Sequence, residues 1–154
     1  MKKFLKKFFV ILVAVVFVNS LAMIAYAGSY SFGAEMNYRM VDGKKNGVTY
    51  SIGSDKTIKV NGKIGAYSYN RSDHEGVAGG ALCGPQSTTI CLCESNWWGG
   101  QIVICSTSVK VSALNQVKRF SCSGKSETSR GKYLYIYKPL NDGFNMSISG
   151  TIKY

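Results

Sequence analysis

The stretch "SYSFGAEMNYRM" (29–40) alternates between apolar and polar or small side chains over twelve residues. Its even positions carry Tyr30, Phe32, Ala34, Met36, Tyr38 and Met40. Because successive side chains of a β-strand point to opposite faces of a sheet, a period of two predicts a strand with one buried face. This stretch therefore favours a sheet protein over a helical one.

The same alternation returns near the C-terminus, in "KYLYIYK" (132–138) and "FNMSISGTIKY" (144–154). The intervening "PLNDG" (139–143) has turn composition, so the two strands are predicted to pair as a hairpin. A second turn is predicted at "NGK" (61–63), between two short apolar-even runs. About eight short strands in 28–154 predict an all-β fold, an antiparallel β-sandwich that is jelly-roll-like or immunoglobulin-like.

The N-terminus has the composition of an export signal. Four lysines among the first seven residues precede the apolar run "FFVILVAVVFV" (8–18), and Ala25 and Ala27 frame a small-x-small cleavage site. This order predicts a secretory signal peptide over 1–27, and the alternative is a retained membrane anchor. Cleavage after Ala27 leaves 28–154 as a single secreted domain.

The predicted mature domain is basic. Four of the 19 lysines and arginines lie in the signal peptide, which leaves 15 against 8 acidic residues and a net charge of +7. Such a charge favours an anionic cell-wall polymer as partner. The alternative is that the charge only keeps the protein soluble. Within the mature domain, basic residues are adjacent only at 44–45 and 118–119, so this domain shows no basic cluster. Nucleic acid is not an expected partner.

All five cysteines lie in the predicted exported domain: Cys83, Cys91, Cys93, Cys105 and Cys122. Cysteines outside the cell form disulfides, and five can form two bridges with one thiol left over. A zinc site is disfavoured because the cysteine pair has C-x-C spacing, whereas thiolate sites use C-x2–4-C. We expect no metal and no cofactor.

The stretch "CLCESNWWGGQIVIC" (91–105) predicts a hairpin that turns at 98–99. A turn there places Cys105 opposite Cys91 or Cys93, so a bond from Cys105 to one of these two is expected. The remaining cysteines, Cys83 and Cys122, would pair with each other, or one of them with the residue left over.

Trp97 and Trp98 lie at the tip of this hairpin and are the candidate ligand-binding residues. Exposed indoles stack on sugar rings or anchor in a membrane interface. Because neighbouring residues of a strand face opposite ways, at most one of them would join the core. The alternative is that both cap the open end of the sandwich. The tyrosines at 133, 135 and 137 form a second candidate platform, for which packing across strands is favoured.

Catalysis is not predicted. The single histidine, His74, would need Cys83 or Cys122 as a thiol nucleophile, and nothing around either cysteine indicates one. The carboxylates that a glycosidase would need are scattered, and the default candidates are Glu35, Glu94 and Glu127. Sequence motifs of hydrolases, metalloproteases and phosphate-binding loops do not occur.

The leading hypothesis is a secreted, non-catalytic protein that binds at the bacterial cell surface, to wall polymer, glycan or a surface protein. Contact with the membrane is expected through the signal peptide alone. One alternative is a secreted, bacteriocin-like toxin that acts on the membranes of other cells. A second alternative is a small thiol-dependent enzyme. The sequence leaves the ligand and the oligomeric state open.

Overall fold

The computed structural model of the protein describes residues 28–77 and 80–154. The predicted signal peptide (1–27), with Ala25 and Ala27, lies outside the described residues. Within the described ranges, no helix has the length and hydropathy of a membrane-spanning segment.

Residues 28–77 and 80–154 contain one short 3-10 helix (Arg71–Asp73) and eight strands. In chain order they are β1 (Ser29–Met36), β2 (Met40–Asp42), β3 (Thr57–Tyr69), β4 (Ser87–Ser95), β5 (Gln101–Lys110), β6 (Val117–Lys125), β7 (Lys132–Tyr137) and β8 (Phe144–Lys153). Sheet A has the order β1-β8-β3-β6 and sheet B the order β2-β7-β4-β5, and all pairings are antiparallel. The predicted β-sandwich is thus confirmed, and its strand order is that of a jelly roll.

The predicted inward faces of the strands are confirmed by burial. Even-numbered residues of β1, of β3 up to Ala66 and of β8 point between the sheets and meet the apolar residues of β4 and β7. The core includes Phe32, Met36, Ile58, Val60, Ile64, Ile90, Leu92, Ile136, Met146, Ile148 and Ile152. The odd-numbered residues of β8, and those of β3 up to residue 65, therefore form the outer face of sheet A.

The stretch 29–40 is not one strand, as its pattern predicted. It bends at 37–39, so that β1 belongs to sheet A and β2 to sheet B. After Met36, which pairs with Met146, the chain crosses to the partner sheet, and Arg39 accepts a backbone hydrogen bond from Lys138 at 2.8 Å. Because it lies on this corner, Tyr38 is exposed even though it continues the apolar pattern.

The predicted turn at 61–63 is wrong, because these residues lie in the middle of β3. They pair with β6 on one side and with β8 on the other. Gly62 lies opposite Gly150, and a Cβ atom on Gly62 would come within 2.5 Å of the Phe120 ring. The glycine therefore makes room for a core ring and does not turn the chain.

The predicted hairpin over 132–154 is also wrong, because β7 and β8 belong to different sheets. The segment 139–143 carries the chain from sheet B to sheet A. It is held by a buried ion pair, in which Lys138 Nζ lies 2.6 Å from Asp142 Oδ1 and also donates to the Phe144 carbonyl at 2.8 Å. Asp142 Oδ2 in turn accepts the backbone N–H of Gln86 at 2.7 Å.

The two sheets approach each other along the side where β5 faces β6. A Cβ atom on Gly124 of β6 would lie 1.9 Å from the carbonyl oxygen of Ile104 in β5, so only glycine fits there. On the same two strands, the thiols of Cys105 and Cys122 lie close enough to change each other's pKa. This contact joins sheet B to sheet A.

Candidate functional site

The turn between β4 and β5 is closed by its own backbone and by one asparagine. The backbone N–H of Asn96 donates to the Gly100 carbonyl at 2.8 Å, and the Gly100 N–H donates to Asn96 Oδ1 at 2.6 Å. Gly99 adopts a φ of +82°, which a glycine tolerates without strain, and donates to the Asn96 carbonyl. Neither tryptophan takes part in these bonds, so the turn does not need an indole to form.

Trp97 and Trp98 both point away from the protein. Both residues are exposed, and 79% of Trp97 and 90% of Trp98 are accessible to solvent. At most one of them was expected to join the core, and neither does, because both lie in the turn, where the alternation of a strand does not apply. The alternative in which both rings cap the sandwich is wrong, because rings that covered its open end would be buried, and these are exposed.

Two cations from neighbouring loops flank the tryptophan turn. The guanidinium carbon of Arg130 lies 5.2 Å from the centre of the Trp97 ring, which is a cation–π contact. Lys44 Nζ donates to the Gly99 carbonyl at 3.4 Å and lies 5.8 Å from the centre of the Tyr133 ring. We call Lys44, Trp97, Trp98 and Arg130 the tryptophan end.

The loop that carries Arg130 is anchored from inside the sandwich. Glu94 and Lys132 are paired across β4 and β7, fully buried, with Oε2 and Nζ 2.6 Å apart. Glu94 Oε1 accepts the backbone N–H groups of Glu127 and Thr128, at 2.8 and 3.2 Å. Lys132 Nζ donates to the carbonyls of Thr128 and Arg130, at 2.5 and 2.9 Å. One buried ion pair therefore fixes the loop.

The same contacts set the ionisation of Glu94. Burial acts to raise its pKa, but the hydrogen bond from Lys132 and the two amide donors outweigh burial and hold the pKa below its ordinary value. Glu94 thus stays ionised inside the core. It serves as a structural anchor, and its position does not suit a general acid.

The expected pairing of Cys105 with Cys91 or Cys93 is wrong in this structure. The hairpin begins in the expected register, with Ser95 opposite Gln101 and Cys93 opposite Val103, but a β-bulge then shifts β5 by one residue. Cys105 therefore lies opposite Leu92 and points into the core, whereas Cys91 and Cys93 point outward. A shift of one residue moves a side chain to the other face of a sheet.

All five cysteines are free thiols in the structure, and four of them form two contacting pairs. Cys91 and Cys93 lie side by side and pack with the tyrosine of residue 133, and the thiol of Cys105 lies beside that of Cys122. Cys83 is buried elsewhere, and its Sγ donates to the Asn141 carbonyl at 3.4 Å. In the described part of the chain, no three cysteine, histidine or acidic side chains come together as a metal site.

His74 and Cys83 meet, but their contact does not fit a nucleophile and its base. His74 Nε2 lies 2.5 Å from the carbonyl oxygen of Cys83 and Nδ1 lies 2.6 Å from the Tyr69 hydroxyl, so both ring nitrogens have partners other than the sulfur. Burial, then the charges of Asp142 and Glu75, raise the pKa of the Cys83 thiol. A raised pKa disfavours the thiolate that such an enzyme needs.

The candidate glycosidase carboxylates do not face one another. Glu94 points into the sandwich, whereas Glu35 is exposed on the outer face of sheet A, opposite Ser147. Glu127 is exposed in the loop before β7 and contributes a backbone N–H to Glu94. These three residues do not form the opposed pair that glycoside hydrolysis uses.

Sequence reasoning found the two tryptophans and missed Lys44 and Arg130. Both cations lie in loops distant from the hairpin in sequence, and only the sandwich brings them to it. No spacing signal in the sequence could have identified them.

No family model matches this chain, and no curated protein matches it. Among solved structures, the CBM22-1 xylan-binding domain from Paenibacillus barcinonensis is similar with a TM-score of 0.46 and 10% identity, over 82% of this chain and 80% of that one. The CBM22-1–GH10 modules of a Clostridium thermocellum endo-1,4-beta-D-xylanase give 0.43 and 10%, over 66% of this chain and 17% of that one. This chain therefore spans less than a fifth of that protein's length.

The K1 cleaved adhesin domain of Lys-gingipain from Porphyromonas gingivalis gives a TM-score of 0.42 and 7% identity, over 83% of this chain and 98% of that one. All three likenesses have low scores and low identities. The function proposed for this chain rests on its own residues.

Proposed function

We propose that this protein is a secreted, non-catalytic, glycan-binding protein that acts at the bacterial cell surface through Trp97 and Trp98. The observation that carries the proposal is the exposure of both indoles on a turn that forms without them. Two adjacent exposed tryptophans leave much apolar surface in water, and such surface marks an interaction site.

The chemistry of the tryptophan end suits a sugar ring. The flat C–H face of a pyranose covers one face of an indole and removes on the order of 100 Å² of apolar surface from water, which contributes about 2.5 kcal/mol before ordering costs. Lys44 and Arg130 add charged donors beside the rings, and such donors bind carboxylate or phosphate groups on a sugar. A wall glycan with acidic substituents is therefore the partner class we propose.

The proposed location of the protein, at the cell surface, is supported by the predicted signal peptide over 1–27 and by the net positive charge of the domain that follows it. Export through such a signal would bring the tryptophan end to the wall of the producing cell. The partners of His74 and Cys83 argue against the thiol enzyme. A membrane-acting toxin is the second candidate, since tryptophans flanked by cations are also typical of membrane-interface anchors.

A pelleting assay separates these functions. The chain beginning at Gly28, which contains every strand of both sheets, is mixed with purified cell-wall sacculi at low and at high salt. We expect pelleting that survives high salt, because stacking is not screened as surface charge is. Trp98→Ala is expected to weaken it by about tenfold or more, the effect of losing an aromatic anchor.

The matched control is Tyr38→Ala, which removes an exposed aromatic ring at the other end of sheet B and should pellet as the wild type does. Trp98→Ala should also keep the thermal midpoint of the wild type, because Asn96 and the glycines close the turn. Absence of pelleting at either salt would overturn the proposal. Binding to phosphatidylglycerol vesicles without binding to sacculi would favour the toxin instead.

A further inference from the structure

The outer face of sheet A carries lysine and arginine side chains that are far apart in sequence. Lys59 of β3 lies directly opposite Lys153 of β8, and Lys63 of β3 lies directly opposite Arg119 of β6. All four are exposed. We call these four residues the cationic face.

Like charges placed directly opposite each other on neighbouring strands destabilise a sheet. The cationic face has two such pairs, and in the described residues none of its members forms a salt bridge with a carboxylate. Other exposed cations do find partners, as Lys125 does with Asp55 at 3.1 Å. An uncompensated arrangement of this kind indicates an anion-binding surface.

A shallow groove of about 300 Å³ runs from the Lys63–Arg119 pair toward the Lys59–Lys153 pair and ends at the residues between them. It is lined by Asn61, Gly62, Lys63, Arg119, Ser149, Gly150 and Thr151. A second groove of about 290 Å³ shares Lys63 and Ser149 with the first and continues toward Tyr67 and Val117. Hydroxyl and amide groups therefore line the path that joins the cations.

The spacing of the two charged pairs favours a long ligand. Lys59 and Lys63 are four residues apart on β3, a separation of about 13 Å along the strand. A single small anion contacts one pair, whereas a linear polyanion that follows the strands contacts both. Binding should therefore strengthen with the length of the polymer.

The side chains between the pairs distinguish the kinds of polyanion. Asn61, Ser121 and Thr151 occupy this middle row, and Ser121 Oγ donates to Asn61 Oδ1 at 2.9 Å. This row has no aromatic ring for stacking nucleic-acid bases and no large apolar side chain for entering a lipid layer. Tyr67 and Val117 lie beyond Lys63, outside the span between the pairs. A polymer of phosphate groups joined by polyol units has no bases to stack and no acyl chains to bury, so it needs neither an aromatic ring nor a large apolar side chain.

We propose that the cationic face binds a linear phosphate-bearing polyol polymer, and that it does so independently of the tryptophan end. The face lies on sheet A and shares no residue with the tryptophan end, which belongs to sheet B and its loops. Failure of the glycan proposal would therefore leave this one standing, and the reverse also holds.

The test measures binding of poly(glycerol phosphate) to the chain beginning at Gly28, at several salt concentrations. Lys63→Gln/Arg119→Gln should bind about tenfold or more weakly at low salt. The slope of log K against log salt should fall by about one to two, because two ion contacts are lost. Its thermal midpoint should equal or exceed that of the wild type, because a like-charge pair is removed.

The matched control is Lys45→Gln/Lys110→Gln, which removes the same charge from exposed sites off the cationic face and should bind within about twofold of the wild type. An equal loss in the control would show that net charge alone is responsible and would overturn the proposal. Absence of wild-type binding, or tighter binding to oligo(dT) or to phosphatidylglycerol vesicles, would overturn it as well.

Discussion

Glu94 and Lys132 show how single residues inside the core control a surface loop. Their ion pair is fully buried, and its hydrogen bonds hold the backbone that carries Arg130 to Trp97. Removing one partner of such a pair leaves an uncompensated charge in the interior, which costs about 3–5 kcal/mol. The position of the loop and the stability of the sandwich are therefore linked.

We predict that Lys132→Met lowers the free energy of unfolding by about 3–5 kcal/mol, as measured by urea denaturation at neutral pH. The double variant Glu94→Gln/Lys132→Met should be closer to the wild type, because no charge remains buried. Asp55→Asn is the control, since its ion pair with Lys125 is exposed and contributes at most about 1 kcal/mol. A Lys132→Met protein as stable as the control would contradict the anchoring role.

The same pair predicts a dependence of stability on pH. The pKa of Glu94 is lower in the folded protein than its ordinary value of 4.5, so its contribution is complete above that value. The contribution is lost as the pH falls below 4.5 through the folded pKa. The Glu94→Gln variant should therefore show a flatter fall in stability on acidification than the wild type.

At the residue level, the sequence predicted which side chains face inward and which face outward along the strands. It predicted that at least one of Trp97 and Trp98 is exposed, but not that both are, because the alternation rule ends where a turn begins. The cationic face was visible in part, since Lys59 and Lys153 both occupy outward positions of alternating stretches. What brings them together is the pairing of β3 with β8, which no local pattern encodes.

At the element level, the bulge in the β4–β5 hairpin decides which cysteines meet. Without it, Cys105 would lie opposite Cys91, as the sequence predicted from a regular hairpin. With it, Cys105 turns inward and reaches Cys122 on β6. Bulges depend on packing on both faces of a sheet, and turn composition alone does not reveal them.

We predict that oxidised glutathione links Cys105 to Cys122. The adjacent thiol of Cys105 lowers the pKa of the Cys122 thiol, so the Cys122 thiolate attacks first and releases one reduced glutathione. Cys105 then displaces the second glutathione, which leaves one protein disulfide and two reduced glutathione molecules.

Peptide mapping without reductant measures this linkage. The closed loop should stabilise the protein by about 3 kcal/mol in the chain-entropy model. Cys83→Ser should leave the linkage unchanged, because Cys83 lies elsewhere, against the Asn141 carbonyl. A bond from Cys105 to Cys91 or Cys93 would contradict the register described for β5.

At the scale of the whole molecule, the sequence predicted a sandwich of about eight strands but not which strand joins which sheet. Two segments of turn-like composition, 61–63 and 139–143, led to wrong predictions for different reasons. The first lies within a strand because Gly62 packs under Phe120, and the second crosses between sheets around the Lys138–Asp142 pair. Both outcomes depend on contacts between residues that are distant in sequence.

The whole molecule presents two candidate binding surfaces on different sheets. We predict that Trp98→Ala and Lys63→Gln/Arg119→Gln each weaken binding to sacculi that carry phosphate polymers. Because the surfaces share no residue, the losses of binding free energy should add within about 0.5 kcal/mol in the combined variant. Titration of all variants on one sacculus preparation measures this, and a combined loss no greater than either single loss would show one shared site.

The strand order has a further consequence for how the chain reaches this structure. In the described part of the chain, β4 and β5 are the only consecutive strands that pair with each other. By contrast, β1 pairs with β8, the last of the eight strands. A hairpin forms in about 1–10 μs, but sandwiches built from distant pairings fold in milliseconds to seconds. The turn that holds the tryptophans is thus expected to be among the earliest parts of the fold, complete while the sheets around it are still assembling.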